Sequence, residues 1–233
     1  MYISQVQLRA DARDRRQYWK LIQESYQFHS LVWDLFGDDP EQKRDFLYRV
    51  DSSKKLPTFL VVSSREPVNR YDVWDIQTKP YNPRLSPGQR LSFTLRANPV
   101  RKKRDEQKKQ HRHDVVMEVK SRLESEGTPR HQRPGEPEII QNAGFVWLAS
   151  RGDACGFHLT EHEVICDGYM QNRFRKPKGN HDVRFSTIEF TGLLTVTNPA
   201  AFVSTLYSGI GPEKGFGCGL MIVKPVGDDH YAP

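Results

Sequence analysis

Three groupings in this 233-residue sequence have the residue types and spacing to do chemistry. His29 follows Tyr26 by three residues, so on a helix the two stand on one face, one turn apart. Histidine can take and give a proton near neutral pH, and a phenol can orient it or a substrate. The bland alternative is a core histidine satisfied by packing. The second grouping is Gly209-Ile-Gly211-Pro-Glu-Lys214-Gly215-Phe-Gly217-Cys-Gly219-Leu220, five glycines within eleven positions. Such a stretch lets backbone approach a ligand closely and aims amides at phosphates. It sits between a helix and a strand, outside the context of a dinucleotide fingerprint, and a P-loop ending is absent. A tight turn packed against a neighbouring helix is the other reading. The third is Cys155-x2-His158-x3-His162-x3-Cys166, four residues of zinc-binding type. The interleaved Phe157, Leu159, Val164 and Ile165 alternate like a hairpin, and on extended chain these ligands would not converge. No metal or other cofactor is expected.

Charge narrows the partner. The net charge is +6, and the run Arg101–His113 carries seven basic residues (Arg101, Lys102, Lys103, Arg104, Lys108, Lys109, Arg112) against Asp105 and Glu106. Nearly all the excess is therefore in one segment. That concentration attracts polyanions by counterion release, nucleic acid first among them, while a solvated linker is the plainer reading. No apolar run approaches the roughly 18 residues of a membrane span. Arg9, Asp11, Arg13 and Asp14 interrupt any signal-peptide core, and three cysteines do not make a secreted disulfide scaffold. A cytoplasmic protein without membrane association is expected.

The elements that must position these groups follow from periodicity. Tyr2, Ser4, Val6 and Leu8 open a strand. Trp19, Ile22, Tyr26, His29, Trp33 and Phe36 repeat at helical steps, widened by Tyr18, Leu21, Phe28, Val32 and Leu35, and Gly37–Pro40 stops the helix. Strands are predicted at 45–50 and 58–63, a short helix near 70–76, and the clearest strand at 91–97. Helices are predicted at 113–126 and 138–150, and a hairpin over 157–174. A long strand follows at 183–196, its parity slipping between Phe185 and Ile188 as at a bulge. Asn198 caps a helix that begins at Pro199, and the last strand spans 216–224. Strand–helix–strand–strand–helix–strand twice over is an α+β pattern of tandem ferredoxin-like (RRM-like) domains with antiparallel sheets. The boundaries expected are 1–88, with the helix of His29, and 89–233, with the basic insertion and the glycine-rich loop.

The sequence also resembles the CasE-type CRISPR-associated endoribonucleases, the subunits that process CRISPR precursor RNA in Cascade. The resemblance rests on Tyr26-Gln-Phe-His29 through Val32-Trp33-Asp-Leu-Phe36, Arg44-Asp-Phe-Leu-Tyr-Arg49, Leu91-Ser-Phe-Thr-Leu-Arg-Ala-Asn98-Pro99, Gly192-Leu-Leu-Thr-Val-Thr-Asn198-Pro199 and the glycine-rich stretch from Gly209 to Leu220. These stand in family order along nearly the whole chain. The resemblance implies metal-independent cleavage of repeat RNA at the 3′ base of its hairpin by 2′-OH attack, with His29 and Tyr26 catalytic. It implies that Gly209, Gly211, Lys214, Gly215 and Gly217 touch the RNA backbone. Basic residues of the second domain, with Arg101, Lys102, Arg104, Arg173 and Arg175 matching in charge, would bind the RNA. The partners implied are CRISPR repeat RNA, the mature crRNA hairpin and other Cascade subunits. Two departures stand out. Some relatives carry a basic residue directly after the histidine, where this chain has Ser30, and the run 100–135 is longer and more charged than the family pattern requires. A non-catalytic RNA-binding module of the same fold is the alternative function.

Overall fold

Alternation at Ser4, Val6 and Leu8 puts three side chains of the first strand inside, as period-two patterning requires. The computed structural model describes residues 1–9, 28–37, 41–51, 57–70, 72–104, 107, 110–175 and 182–226, except the side chains of Arg104 and Arg175. In chain order the elements are β1 (Tyr2–Leu8), α1 (Phe28–Trp33), β2 (Phe46–Asp51), β3 (Thr58–Ser63), β4 (Trp74–Pro80), β5 (Arg90–Ala97), β6 (Val100–Arg104) and β7 (Gln110–Asp114). They continue with α2 (Val115–Ser125), α3 (Glu136–Ala149), α4 (Gly152–Cys155), β8 (Phe157–His158), β9 (Val164–Arg175), β10 (Asp182–Val196), α5 (Pro199–Ser208) and β11 (Met221–Pro225). Two compact units result, Met1–Arg84 with Tyr207–Leu220, and Leu85–Leu206 with Met221–Pro233.

In the first unit β2-β3-β1-β4 form one antiparallel sheet, which is the 4-1-3-2 strand order of the ferredoxin-like fold. Residues 74–80, where a helix was predicted from 70 to 76, are a strand. Trp74, Ile76 and Thr78 alternate and pair with Leu8, Val6 and Ser4 of β1, and Ser4 and Thr78 join their hydroxyls at 2.9 Å. Aromatics fill the core between α1 and this sheet: Phe36 stacks on Phe46 at 4.7 Å between centroids, and Phe28 and Trp74 meet Phe59 edge-on. Arg65 ties the end of α1 to β2. It donates from Nε and Nη2 to the Asp45 carboxylate at 2.7 and 2.9 Å, and from Nη1 to the Phe36 carbonyl at 2.6 Å.

The second unit repeats the order. β11-β5-β10 lie side by side and β9 pairs with the other edge of β10, again 4-1-3-2. Leu91, Phe93, Leu95 and Ala97 are buried with Phe190, Leu194, Trp147 and Phe202. The hairpin predicted over 157–174 is absent. Residues 164–175 run as one strand along β10, and only Phe157–His158 add to the same edge further on. The expected irregularity is there, but on the partner strand: the β9–β10 register shifts between Thr187 and Glu189, and the extra residue is on β9 beside Gly168, which has φ +58°. The expected N-cap is present, Asn198 Oδ1 accepting from Ala201 N at 3.1 Å. The basic run is a two-stranded antiparallel arm, β6 with β7, whose exit Asp114 caps α2 by accepting from Val116 N and Met117 N. The final strand begins at Met221 rather than 216, because Lys214–Phe216 form a 3₁₀ turn.

Among the described residues no helix is long and apolar enough to cross a membrane.

Candidate functional site

Of the helix predicted to carry His29, the described part runs from Phe28, and Trp19, Ile22 and Tyr26 of the first stripe lie outside the described residues. Leu31, Val32, Leu35 and Phe36 are nearly inaccessible, whereas His29 and Trp33 are half-buried. The core takes Val32, Leu35 and Phe36, and His29 stands at the flank, half exposed to solvent. The Ser30 hydroxyl lies 3.4 Å from His29 Nε2, and either group can serve as donor. Tyr26 lies outside the described residues.

The glycine-rich loop belongs to the same unit as His29 by its contacts, although chain order put it in the C-terminal domain. Its reason is local packing. The loop closes through Ile210 N on the Gly219 carbonyl at 2.9 Å and lies against Leu47 and Tyr48 of β2. Gly209, Gly211 and Gly217 all have φ between +74° and +81°, where a Cβ is strained. At Gly217 a Cβ would also come within 3.3 Å of the Tyr48 ring. The Tyr48 hydroxyl donates to the Gly215 carbonyl at 2.8 Å. Phe216, next along, sets its ring 6.0 Å from the His29 imidazole, tilted 59°. Lys214 donates its ammonium to the Ser208 carbonyl at 2.6 Å.

One group beside this loop is electrostatically unusual. Arg44 stands just before β2, and a Cβ on Gly215 would sit 3.0 Å from its Nη1. Desolvation pulls its pKa below the ordinary arginine value, while Tyr48 and Glu213 push the other way. The sequence shows Arg44 and Tyr48 only as parts of a strand-like motif. Nothing local marks them, because their roles come from a loop far along the chain.

The remaining residues expected to bind RNA lie in the second unit. Arg101 and Lys102 are exposed on β6. Register pairs Arg101 with His113, Lys102 with Arg112 and Lys103 with His111, so Arg101 and Lys103 share one face of the arm and Lys102 and Arg112 the other. Lys103 bonds Glu118 of α2 at 2.7 Å, and both Arg101 and Lys103 line a cavity of about 750 Å³ with Val119 and Val146. Arg112, part of the basic run but not among the RNA contacts the resemblance implies, stands beside Lys102. Arg173 on β9 is exposed and bonds Asp182 at 2.6 Å. The side chains of Arg104 and Arg175 are outside the described residues.

The four zinc-type residues are scattered over α4 (Cys155), β8 (His158), a 3₁₀ turn (His162) and β9 (Cys166). Among the described residues no three His, Cys, Asp or Glu side chains gather as a metal site would need. Cys166 is buried beside Gly144, and that burial pushes its thiol up to about 12.

Comparison with known proteins gives consistent matches. The family model described as CRISPR associated protein matches residues 1–225. The CRISPR system Cascade subunit CasE of Escherichia coli (strain K12) is 30% identical over 231 residues, covering 97% of this chain and 100% of that protein. The CRISPR-associated endoribonuclease Cse3 of Thermus thermophilus is 28% identical over 218 residues, 86% and 90% of the two chains. A solved structure of CRISPR endoribonuclease Cse3 bound to 19 nt RNA superposes with a TM-score of 0.69 at 26% identity, covering 97% of this chain and 100% of that one.

Proposed function

We propose, from the premise that this chain belongs to the CRISPR-associated protein family as a CasE-type endoribonuclease, that it cuts CRISPR precursor RNA without a metal ion and keeps the hairpin product within Cascade. The observation that carries the reading is His29, accessible on the flank of α1 and set against Phe216 of the glycine-rich loop within one unit. RNA brings its own nucleophile. The ribose 2′-OH beside the scissile phosphate attacks phosphorus in line, the P–O5′ bond breaks, and the products are a 2′,3′-cyclic phosphate and a 5′-hydroxyl. The 2′-OH loses a proton and O5′ gains one. An imidazole held at the phosphate handles one of these transfers, with Tyr26 one turn earlier in the sequence to orient it or the ribose.

The other parts suit holding RNA. The loop's glycines bring backbone amides close to phosphates, and Lys214 adds charge. The arm offers Lys102 and Arg112 on one face and Arg101 on the other, a density of cations that grips a duplex stem by its backbone. The same grip, kept after the cut, retains the crRNA hairpin for the relatives' assembly partners, the other Cascade subunits.

The test is cleavage of a labelled stem-loop repeat RNA in excess EDTA, with a 2′-deoxy substitution at the scissile nucleotide. One cut at the 3′ base of the hairpin, lost with the deoxy substrate and leaving a cyclic phosphate, is expected. Tight binding without a cut would make the protein an RNA-binding module of the same fold. Cleavage that EDTA abolishes would overturn the metal-free chemistry.

A further inference from the structure

In-line attack builds negative charge on the non-bridging oxygens of the phosphate, and a nuclease without a metal ion needs a fixed cation there. Among the described residues α1 supplies none: Phe28–Trp33 holds no basic side chain, and Ser30 follows His29. Lys214 turns its ammonium onto the Ser208 carbonyl.

Arg44 is placed otherwise. Its Nη1 would be 3.0 Å from a Cβ on Gly215, so the guanidinium lies against the backbone just ahead of Phe216, whose ring faces His29. Tyr48 pins that same residue by its carbonyl at 2.8 Å, so the loop cannot drift from Arg44 without breaking a hydrogen bond. Among the described residues Arg44 makes no hydrogen bond or ion pair, and Glu213 acts on it only through its field. The side chain remains exposed, yet desolvation lowers its pKa from the ordinary arginine value while Tyr48 and Glu213 act in the other direction. A planar fork partly stripped of water and open to solvent is suited to two oxygens of one phosphate.

We infer that Arg44 is a phosphate-contacting residue of the cleavage site, donating from its guanidinium to the non-bridging oxygens of the scissile phosphate. The inference rests on the nuclease reading above. The contact strengthens as charge builds on those oxygens, so it serves the transition state more than the bound substrate.

The experiment is single-turnover cleavage of the repeat stem-loop by wild type, R44K, R44Q and E213Q. Each is given the ordinary scissile phosphate and its two phosphorothioate diastereomers, with binding measured alongside. R44Q is expected to cut roughly 100-fold more slowly while its Kd changes less than about threefold. R44K, which keeps charge but loses the fork, should fall between. For one diastereomer the rate ratio of phosphate to phosphorothioate should collapse towards one in R44Q, since a contact already lost cannot be weakened by sulfur. E213Q should keep the wild-type ratio. If R44Q does not fold, a reduced ratio in R44K carries the same meaning. A wild-type rate in R44Q, or slowing that leaves the ratio at its wild-type value in both variants, would overturn the inference while leaving the nuclease reading intact. Failure of the wild-type protein to cut would overturn both.

Discussion

The His29 imidazole and the Phe216 ring lie 6.0 Å apart at a 59° tilt, and through that contact the helix flank and the glycine-rich loop face one another. Neither residue could hold this arrangement alone. His29 is placed by the burial of Leu31, Val32, Leu35 and Phe36 on the other side of α1. Phe216 is placed by a loop that Tyr48 and Gly217 fix against β2.

Tyr48→Phe deletes the hydroxyl that donates to the Gly215 carbonyl and keeps the buried ring. A single neutral hydrogen bond is worth about 1 kcal/mol, so the protein should stay folded. Cleavage should slow by about tenfold as Phe216 and its neighbours lose their fixed position. Thermal melting and single-turnover rates check the two halves separately.

Gly217→Ala should cost more. The residue sits at φ +78°, and the added methyl would meet the Tyr48 ring at 3.3 Å. Left-handed backbone costs an L-residue about 1–2 kcal/mol, which for a chain of this size lowers Tm by roughly 2–8 °C. Gly135, which has ordinary φ and meets nothing closer than 3.8 Å, serves as the control, and Gly135→Ala should leave Tm nearly unchanged.

Lys102→Ala should weaken RNA binding through charge alone. Plotted as log K against log salt, the slope should become shallower by about 1, with little change in the cleavage position. Arg112→Ala, its partner across the arm, should do the same. An unchanged slope in both would remove the arm from the RNA interface.

Acid should loosen the first unit through Asp45. The Arg65 hydrogen bond holds this carboxyl below its ordinary range, with Ser64 adding to the effect and partial burial opposing it. A carboxylate with a depressed folded pKa stabilises fully above its unfolded value and loses that contribution as pH falls through the folded one. Stability should therefore drop below the usual carboxylate range, and Asp45→Asn should flatten that acid limb in melts recorded against pH. The pair is partly exposed, so the effect is modest and salt-sensitive.

Much of the fold was legible because it depends on local pattern. The alternation at Leu91–Ala97 gave a strand, Asn198-Pro199 gave a capped helix start, and the parity slip before Ile188 marked where the β9–β10 register shifts, although the extra residue lies on β9. What misread did so for lack of partners in view. The stretch 70–76 looks like a short helix until β1 supplies the register for Trp74–Pro80, and 157–174 looks like a hairpin until β10 runs past it. The basic run reads as linker by composition, since nothing local shows that Val100–Arg104 and Gln110–Asp114 pair. The site was half visible. His29 and the glycines announce themselves by type and spacing, whereas Arg44, Tyr48 and Phe216 acquire meaning only when the loop folds back on β2.

The most direct test of the central claim replaces His29 by Ala and measures cleavage and binding on the same repeat RNA. Removal of a general acid or base should cost about 10²–10⁴ in single-turnover rate. The Kd for the stem-loop should stay within about threefold, and Tm should change little because His29 is only half-buried. A variant that cuts at the wild-type rate, or one that stops cutting only because it no longer binds or folds, would contradict the account.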